Sequence, residues 1–320
     1  MDDNPPEKIS AEARKQRNEA ARKLHAATRT KALQRKMTPS SDKDKGGAPK
    51  RKKASSDKDK DKVIDVEVYE VTEAEPDCWI EELDLLVSEK KILESGGWLS
   101  APIVNASQVI LAKQFERTSG LQDVSGSLTM NFFIEKDKFI QILHEPRGHW
   151  LTISHIGAKN SEVFVYDSMY TSCSSSVQQQ IASMLKAEKP DIELHFVDVH
   201  MQSGGSDCGA FAIAYATALC LGKQPGKFVF DQTAMRHHLL KCLEAQHFTM
   251  FPVRSERRQS IRIRSKQVIK LYCKCRMPDI PGEAMIRCDK CKEWFHANVC
   301  VTVPKTAWKT NTLWFCSTCN

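Results

Sequence analysis

The sequence predicts an α+β fold for the middle of the chain, with a disordered basic tail before it and a small metal-folded domain after it. In the middle, apolar residues alternate with the period of a strand in some stretches and recur with helical spacing in others. Residues 1–62 contain no aromatic residue and carry a net charge of +9. Seven of the 12 cysteines lie in the last 48 residues, which indicates a metal-binding segment.

The N-terminal tail, residues 1–62, is rich in Lys, Ala, Ser and Asp, and we expect it to be disordered. Within it, the stretch from Ile9 to Lys36 has the composition of a solvated basic helix. The motif PKRKK, from Pro49 to Lys53, is typical of a nuclear-import signal, although short basic runs also occur as plain solubilising tails. The tail therefore predicts a nuclear protein.

Charge is distributed unevenly along the rest of the chain. Residues 63–253 carry a net charge of −11, whereas residues 254–270 read RSERRQSIRIRSKQVIK and are predicted to be a basic linker. An acidic core between basic flanks favours contact of the tail and linker with DNA or chromatin. Because no segment is long and apolar enough to span a bilayer and the N-terminus lacks a signal-peptide pattern, we expect a soluble intracellular protein with no membrane partner and no disulfides.

The middle segment, residues 63–253, contains the elements of a mixed fold. Ser100 and Pro102 predict the cap and first turn of a helix through IVNASQVILAKQF. HWLTISHI and SEVFVYDS alternate as strands, and the turn GAKN between them predicts a hairpin. A helix over SSSVQQQIASMLKAE and a strand over IELHFVDVHM follow. The stretch AFAIAYATALCLG is apolar on nearly all sides and predicts a buried helix.

Cys208 lies at the start of this buried helix, where exposed amide N–H groups stabilise a thiolate. A nucleophilic cysteine needs a base, and the base needs an orienting partner. His149 begins one strand of the predicted hairpin and Asp167 ends the other, so the two lie side by side. Gln202, six residues before Cys208, can donate its amide to a developing oxyanion. Three other histidines compete with His149 as the base but lack such a carboxylate partner: His144, His155 and His200.

These motifs resemble the ubiquitin-like-protein proteases of the Ulp/SENP type, which share a papain-like, adenain-like fold. The matches over about residues 80–250 are Gly97-Trp98-Leu99, Gly148-His149-Trp150, Tyr166-Asp167-Ser168 and Gln202 followed by Asp207-Cys208-Gly209. The resemblance implies that His149 is the base, that Asp167 orients it, that Gln202 contributes to the oxyanion hole and that Cys208 attacks. The implied substrate is a ubiquitin-like modifier of the SUMO or NEDD8 type, or its conjugates.

Trp98 and Trp150 correspond to two family tryptophans that clamp the Gly-Gly end of the modifier. Only residues without side chains pass between two flat rings; the alternative is that both tryptophans are ordinary core aromatics. The family usually continues after Trp-Leu with a polar residue and an aspartate, whereas this chain reads Ser100-Ala101-Pro102. This departure keeps open a second reaction class, an adenain-like endopeptidase of mobile-element origin.

The C-terminal segment, residues 271–320, contains eight potential soft ligands. They are Cys273, Cys275, Cys288, Cys291, His296, Cys300, Cys316 and Cys319. Eight such ligands make two tetrahedral zinc sites, each closed by four protein side chains and therefore structural. We expect no cofactor for catalysis. A segment of fifty residues is too short for a sufficient apolar core, so the metal is expected to fold it.

This segment resembles a PHD-type zinc finger, a family marked by a tryptophan at the position of Trp314. The resemblance implies a cross-brace, in which Cys273, Cys275, His296 and Cys300 hold one zinc and Cys288, Cys291, Cys316 and Cys319 hold the other. Three residues separate His296 from Cys300, where the family normally has two. PHD fingers often bind a histone tail, and Tyr272, Met285 and Trp294 lie where some members place the walls of a methyl-lysine cage.

The combined prediction is a nuclear cysteine protease that cleaves after the Gly-Gly of a ubiquitin-like modifier and is recruited to chromatin by its finger. A binding protein with an inactive protease-like domain is the alternative from a different class. The complete set of His149, Asp167, Gln202 and Cys208 favours the enzyme.

Overall fold

The structure is a computed structural model, and it describes residues 77–135, 138–159, 161–185, 187–257, 260–309 and 312–320. The predicted tail, its helix from Ile9 to Lys36 and the motif from Pro49 to Lys53 lie outside the described residues. No helix in these ranges is long and apolar enough to cross a membrane.

The chain from residue 77 to residue 257 mixes helices and strands. The strands are β1 (Cys78–Ile80), β2 (Leu85–Leu86), β3 (Ser119–Gly120), β4 (Phe139–Glu145), β5 (His149–Ser154), β6 (Glu162–Tyr166), β7 (Asp191–Val197), β8 (Phe228–Phe230) and β9 (Val253–Glu256). The α-helices are α1 (Val87–Ser95), α2 (Ala101–Gln114), α3 (Gly126–Thr129), α4 (Ser175–Leu185), α5 (Cys208–Cys220) and α6 (Gln232–Glu244). Three further strands follow: β10 (Ile263–Lys270), β11 (Met285–Arg287) and β12 (Trp294–His296).

A six-stranded mixed sheet in the order β10-β7-β6-β5-β4-β3 organises the larger part of the fold. The neighbours β5 and β6 pair antiparallel, with Thr152 opposite Tyr166, so the predicted hairpin is confirmed. The pair β6 and β7 is parallel. The first residue of β5 and the residue after β6 therefore come to the same edge of the sheet.

Helix α5 packs against the centre of this sheet and forms the middle of the core. All but one of its thirteen residues are buried, which confirms the prediction of a buried helix. Small alanines let the helix approach the sheet closely, and the Thr152 hydroxyl donates to the Ala212 carbonyl at 2.7 Å. Phe211 and Tyr215 are fully buried on this helix. Cys208 is thus the first residue of a rigid, buried element.

The predicted linker over residues 254–270 is wrong. Val253–Glu256 pairs with β8, and Ile263–Lys270 pairs antiparallel with β7, with an irregularity between Ile263 and Ser265. The physical reason is the alternation along β10. Ile269 is buried, polar side chains at alternate positions before it are half-buried, and the residues between them face solvent. This is the pattern of an edge strand. Two of the arginines, Arg257 and Arg264, form ion pairs with Asp198, so part of the basic charge expected to contact DNA is neutralised within the domain.

The C-terminal segment has a small core of its own. Strands β11 and β12 pair antiparallel, with Ile286 opposite Phe295. Both side chains are buried, and the Phe295 ring meets the Trp314 ring edge to face at 5.6 Å. This core is small, so the cysteine and histidine clusters around it must supply much of the stability.

Candidate functional site

A cavity of about 490 Å³ opens at the edge of the sheet where β5 begins and β6 ends. Its lining brings together three of the four predicted catalytic residues, His149, Asp167 and Cys208. These residues come from a strand start, a strand end and a helix start, as the sequence pattern predicts. The three competing histidines do not line this cavity.

Asp167 holds the imidazole of His149 from one side. The His149 Nε2 lies 2.9 Å from the Asp167 Oδ2, and both residues are buried. The other carboxylate oxygen, Oδ1, accepts the backbone N–H groups of Met169 at 2.7 Å and Tyr170 at 2.9 Å. Because both oxygens are bonded, the carboxylate is fixed in position and it fixes the imidazole ring in turn.

Cys208 lines the cavity together with His149, and it is close enough to raise the pKa of that imidazole. Since Nε2 is bonded to Asp167, Nδ1 is the ring nitrogen that remains for the thiol. The cysteine is only 3 % exposed and opens helix α5, whose first amide N–H groups have no partner within the helix. A helix N-terminus beside a cation favours negative charge on sulfur.

The pKa of His149 reflects these contacts. Burial lowers it, but the hydrogen bonds and charges of Asp167 and Cys208 outweigh burial and raise the pKa to about 9. The imidazole is therefore protonated at neutral pH. A protonated imidazole between a carboxylate and a thiol can stabilise a thiolate and can later donate a proton.

Tyr170 is a residue of this site that the sequence pattern did not indicate. Its ring meets the His149 ring edge to face at 4.9 Å and lines the cavity. The backbone N–H of Tyr170 is bonded to Asp167, so the carboxylate positions this ring as well. Its place three residues after Asp167 is the one sequence feature that could have indicated a role for Tyr170 in the site.

Gln202 is not among the residues that line the cavity. Its Oε1 accepts from the Ser168 hydroxyl at 2.6 Å, and its Nε2 donates to the Gly204 carbonyl at 2.9 Å. An amide NH₂ has two hydrogens, so one N–H remains to donate elsewhere. The structure thus orients the predicted oxyanion donor through Ser168, a residue adjacent to Asp167.

Helix α6 fixes the loop that leads into Cys208. The Arg236 Nε donates to Asp207 at 2.7 Å, and its Nη2 donates to the Ser206 carbonyl at 2.8 Å. Gln232, one helical turn earlier, bonds to both backbone groups of Ser203. These two residues are separated from Cys208 by more than twenty positions, so nothing in the local sequence indicates their role.

The two predicted clamp tryptophans occupy different environments. Trp98 is 60 % exposed and lines the cavity, and its ring lies against Gly148, where an added Cβ would come within 2.5 Å of it. Trp150 is buried, donates to the Leu99 carbonyl at 3.1 Å and packs on His144. The structure therefore places Trp98 at the cavity and Trp150 in the main apolar core. Its neighbours His149 and Leu151 line the cavity instead, because alternate residues of β5 face opposite sides of the sheet.

The eight predicted metal ligands form two clusters. Cys273, Cys275, His296 and Cys300 make one cluster, and Cys288, Cys291, Cys316 and Cys319 make the other. Within each cluster the ligand atoms all lie within 4.8 Å of one another, which fits a tetrahedral zinc site with nitrogen and sulfur ligands. The pairing is the interleaved one that the resemblance implied.

The geometry of the first cluster accommodates the extra residue between His296 and Cys300. The Cys300 N–H donates to the His296 carbonyl at 3.0 Å, and Asn298 takes a left-handed backbone conformation with φ of 60°. The His296 Nδ1 lies 3.3 Å from the Cys275 sulfur, while its Nε2 is 3.0 Å from the Pro278 carbonyl. That second contact leaves Nδ1 as the ligand nitrogen.

The predicted cage residues lie on neighbouring segments of the finger. Met285 is on β11 and is diagonal to Trp294, which lies opposite Arg287 on β12. Tyr272 precedes Cys273, whose N–H donates to the Trp294 carbonyl at 3.0 Å. Trp294 is 42 % exposed, and the other two residues are half-buried.

Comparison with family models agrees with this architecture. The model of the Ulp1 protease family, C-terminal catalytic domain, matches residues 108–266, and the PHD-finger model matches residues 273–319. The fold, of mixed helices and strands, is therefore that of a Ulp1-type protease domain. Residues 108–266 are thus similar to the Ulp1 protease family, and a segment similar to a PHD finger follows. The match extends into β10, past the predicted domain end at residue 253.

Individual relatives are more distant. The chromatin remodeling protein SHL of Arabidopsis thaliana is 35% identical over 52 residues, which cover 16% of this chain and 22% of that protein. The chain thus spans less than a quarter of that relative's length.

Solved structures with a similar fold share little sequence with this chain. The Ulp1 protease domain in complex with Smt3, the yeast ortholog of SUMO, is 17% identical over 53% of this chain and 86% of that chain, with a TM-score of 0.41. The Xanthomonas campestris effector protein XopD bound to ubiquitin is 13% identical over 45% of this chain and 91% of that chain, with a TM-score of 0.32. At these values the likenesses add nothing to the family match.

Proposed function

We propose that the chain is a cysteine peptidase and isopeptidase that cleaves after the C-terminal Gly-Gly of a ubiquitin-like modifier. The observation that carries this proposal is the line of Asp167, His149 and Cys208 in one cavity at the N-terminus of α5. An inactive reader domain has no need for a buried carboxylate bonded on both oxygens or for a protonated imidazole beside a thiol.

The proposed reaction uses only side chains of this chain. The Cys208 sulfur attacks the carbonyl carbon of the terminal glycine, and the carbonyl electron pair moves onto oxygen. Gln202 and backbone N–H groups near Cys208 stabilise that oxyanion. The C–N bond then breaks, and His149 donates its proton to the leaving amine. Water, deprotonated by His149, hydrolyses the thioester and releases the thiolate.

Selection of glycine is assigned to Trp98. Its exposed indole lies against the backbone of Gly148, next to His149, and covers part of the cavity. A substrate residue with a large side chain would have to displace this ring, whereas glycine passes beneath it. Trp150 supports the site from the core through its bond to Leu99, beside Trp98.

The first prediction concerns pH. Below about pH 9 His149 is protonated and can donate a proton to the leaving amine, so kcat/KM should fall as pH rises through that value. In Asp167→Asn the raising effect of the carboxylate is lost while burial still lowers the pKa, so the alkaline limb should move to lower pH. The loss of rate should be smaller than the thousandfold expected for His149→Ala.

The measurement is kcat/KM from pH 5 to 10 for the wild type and Asp167→Asn. Asp231→Asn is a matched control, because this aspartate pairs with Arg254 outside the cavity. An alkaline limb that does not move in Asp167→Asn would show that the carboxylate does not set the proton affinity of His149.

A panel of modifiers carrying a C-terminal propargylamide tests the substrate class. We expect Cys208 to form a covalent adduct with at least one modifier of the SUMO or NEDD8 type and none with a probe whose last two residues are alanine. Labelling of the alanine probe at an equal rate would favour the endopeptidase. Absence of labelling with every probe would favour the inactive reader.

For the C-terminal domain we propose two structural zinc ions and binding of a histone tail in the nucleus. Each cluster offers four ligands and so closes a tetrahedral site. A PHD finger and the short match to a chromatin remodeling protein support a chromatin partner. We also propose that the basic tail, rather than the ion-paired β10 region, provides any salt-sensitive contact with DNA.

Trp294 provides the second prediction. In the sequence it lies between Cys291 of one metal cluster and His296 of the other, and on the β11–β12 pair its half-exposed ring is diagonal to Met285. We propose that this arrangement holds the ring in place to face a methylated lysine. Loss of a desolvated cation–π wall costs about 2 kcal/mol, so Trp294→Ala should weaken binding of a trimethyl-lysine histone peptide roughly thirtyfold. Turnover of a free modifier substrate should stay unchanged.

Calorimetric titration of histone peptides into the full chain measures this effect. Trp308→Ala is the matched control, since Trp308 is also exposed in the finger but lies outside the β11–β12 pair. Equal affinity of the wild type for unmodified and trimethylated peptides would exclude the cage.

A further inference from the structure

Strand β10 contacts the segment that forms one wall of the catalytic cavity. The Gln267 side chain accepts the backbone N–H of Cys173 at 2.8 Å and donates to the Cys173 carbonyl at 3.2 Å. Two residues earlier, the Ser265 hydroxyl donates to the Thr171 carbonyl at 2.6 Å. The edge strand thus binds the wall segment with three hydrogen bonds from two side chains.

This wall segment, residues 170–174, has no regular secondary structure. Its backbone therefore has no ladder of its own, and side chains must satisfy it. Gln178 of α4 also donates to the Cys173 carbonyl at 3.1 Å, so that carbonyl has two donors. The Cys173 N–H, in contrast, donates to Gln267 of β10. This hydrogen bond to the wall segment is therefore one that Gln178 does not duplicate.

The wall segment lines the same cavity as the proposed catalytic residues. Tyr170, Ser172, Cys173 and Ser174 all line the cavity. The Tyr170 ring touches His149, and its amide is held by Asp167. One end of the wall is therefore fixed by the catalytic carboxylate and the other end by Gln267. The distance between these two anchors sets the width of the cavity on this side.

The same strand carries the finger. Leu271, directly after β10, donates its N–H to the Pro190 carbonyl at 2.7 Å and is buried in the cluster that contains Val177 of α4. The first metal ligand, Cys273, follows two residues later. Two residues separate the end of β10 from Cys273, so the strand that supports the cavity wall is also the attachment point of the zinc-binding domain.

We propose that Gln267, assisted by Ser265, is a positioning residue that determines substrate fit through the wall of residues 170–174. This inference rests on the proposed function. Gln267 touches neither Cys208 nor His149, so its loss should impair substrate binding rather than the chemical step. The residue lies one position beyond the family match, which ends at residue 266, and belongs to the part of the chain that joins the two domains.

Steady-state kinetics of the full-length chain with a modifier substrate test this assignment. Gln267→Leu should raise KM about tenfold, with kcat within about twofold and the alkaline limb near pH 9 unchanged. Gln267→Glu keeps an acceptor for the Cys173 N–H, so its KM should return most of the way to the wild-type value. Val268→Thr, at the next and largely exposed position of the same strand, is the control and should match the wild type.

A KM for Gln267→Leu equal to that of the wild type would overturn the proposal. So would a fall in kcat with a shifted alkaline limb that Gln267→Glu does not rescue, because that pattern indicates general disruption of the fold. A second measurement does not need the substrate. The rate at which Cys208 reacts with a bulky maleimide, divided by its rate with iodoacetamide, reports the width of the cavity.

The two readouts separate this inference from the proposed function. If the wild type reacts with iodoacetamide but processes no modifier, the proposed function fails. The maleimide ratio should still change in Gln267→Leu and not in Val268→Thr if the wall is held as proposed. An unchanged ratio would overturn the assignment of Gln267 as well.

Discussion

Cys208→Ala should abolish both cleavage of a modifier substrate and covalent labelling by a propargylamide probe. The sulfur is the attacking atom of the proposed reaction, and in the described part of the chain Cys208 and Cys173 are the cysteines that line the cavity. Alanine is accepted at the first position of a helix, so the fold should persist. Turnover should drop to background, a larger effect than the thousandfold loss expected for His149→Ala.

Cys173→Ala provides the matched control, because this cysteine lines the same cavity. Burial raises the pKa of the Cys173 thiol above its usual range, so this sulfur should stay protonated and unreactive. Circular dichroism and zinc content should be the same in both variants. Labelling of Cys208→Ala at the wild-type rate would refute the nucleophile assignment.

Removal of zinc should unfold the C-terminal finger while the protease domain keeps its activity. Binding of structural zinc supplies roughly 10–16 kcal/mol of apparent free energy per ion, far more than the small core around Phe295 and Trp314 provides. No residue of either cluster lines the catalytic cavity. Strand β10 should remain paired with β7 through its own backbone hydrogen bonds.

Elemental analysis should give two zinc ions per chain before chelation, and amide exchange should show loss of protection over residues 273–319 afterwards. Cys288→Ser should lose one ion, whereas Cys78→Ser, an exposed cysteine outside the finger, should lose none. One ion per chain in the wild type would show that the longer spacing from His296 to Cys300 prevents the first site from forming.

Much of the candidate site follows from local sequence. A turn between two alternating strands brings His149 and Asp167 to one edge, and the apolar run after Cys208 marks a buried helix. Cysteine spacing likewise predicts eight metal ligands, and the resemblance to a PHD finger implies the interleaved pairing that the two clusters show.

Other parts depend on contacts between distant residues. Arg236 and Gln232 fix the loop before Cys208 from another helix, and Gln267 reaches the cavity wall from a strand almost a hundred residues away. Residues 254–270 have the basic composition of a linker, but they also carry the alternation of a strand, and this alternation places Ile269 in the core. Trp150, a clamp residue according to the resemblance, is buried, and its part in substrate binding stays a prediction.

Mass spectrometry of a modifier precursor cleaved by the full chain tests the central claim most directly. The precursor should carry a short extension after its Gly-Gly, and the product masses locate the broken bond. The account predicts a single new C-terminus at the second glycine, formed by the wild type and absent with Cys208→Ala. Cleavage at another bond, or an intact precursor with a correctly folded and zinc-loaded wild type, would contradict it.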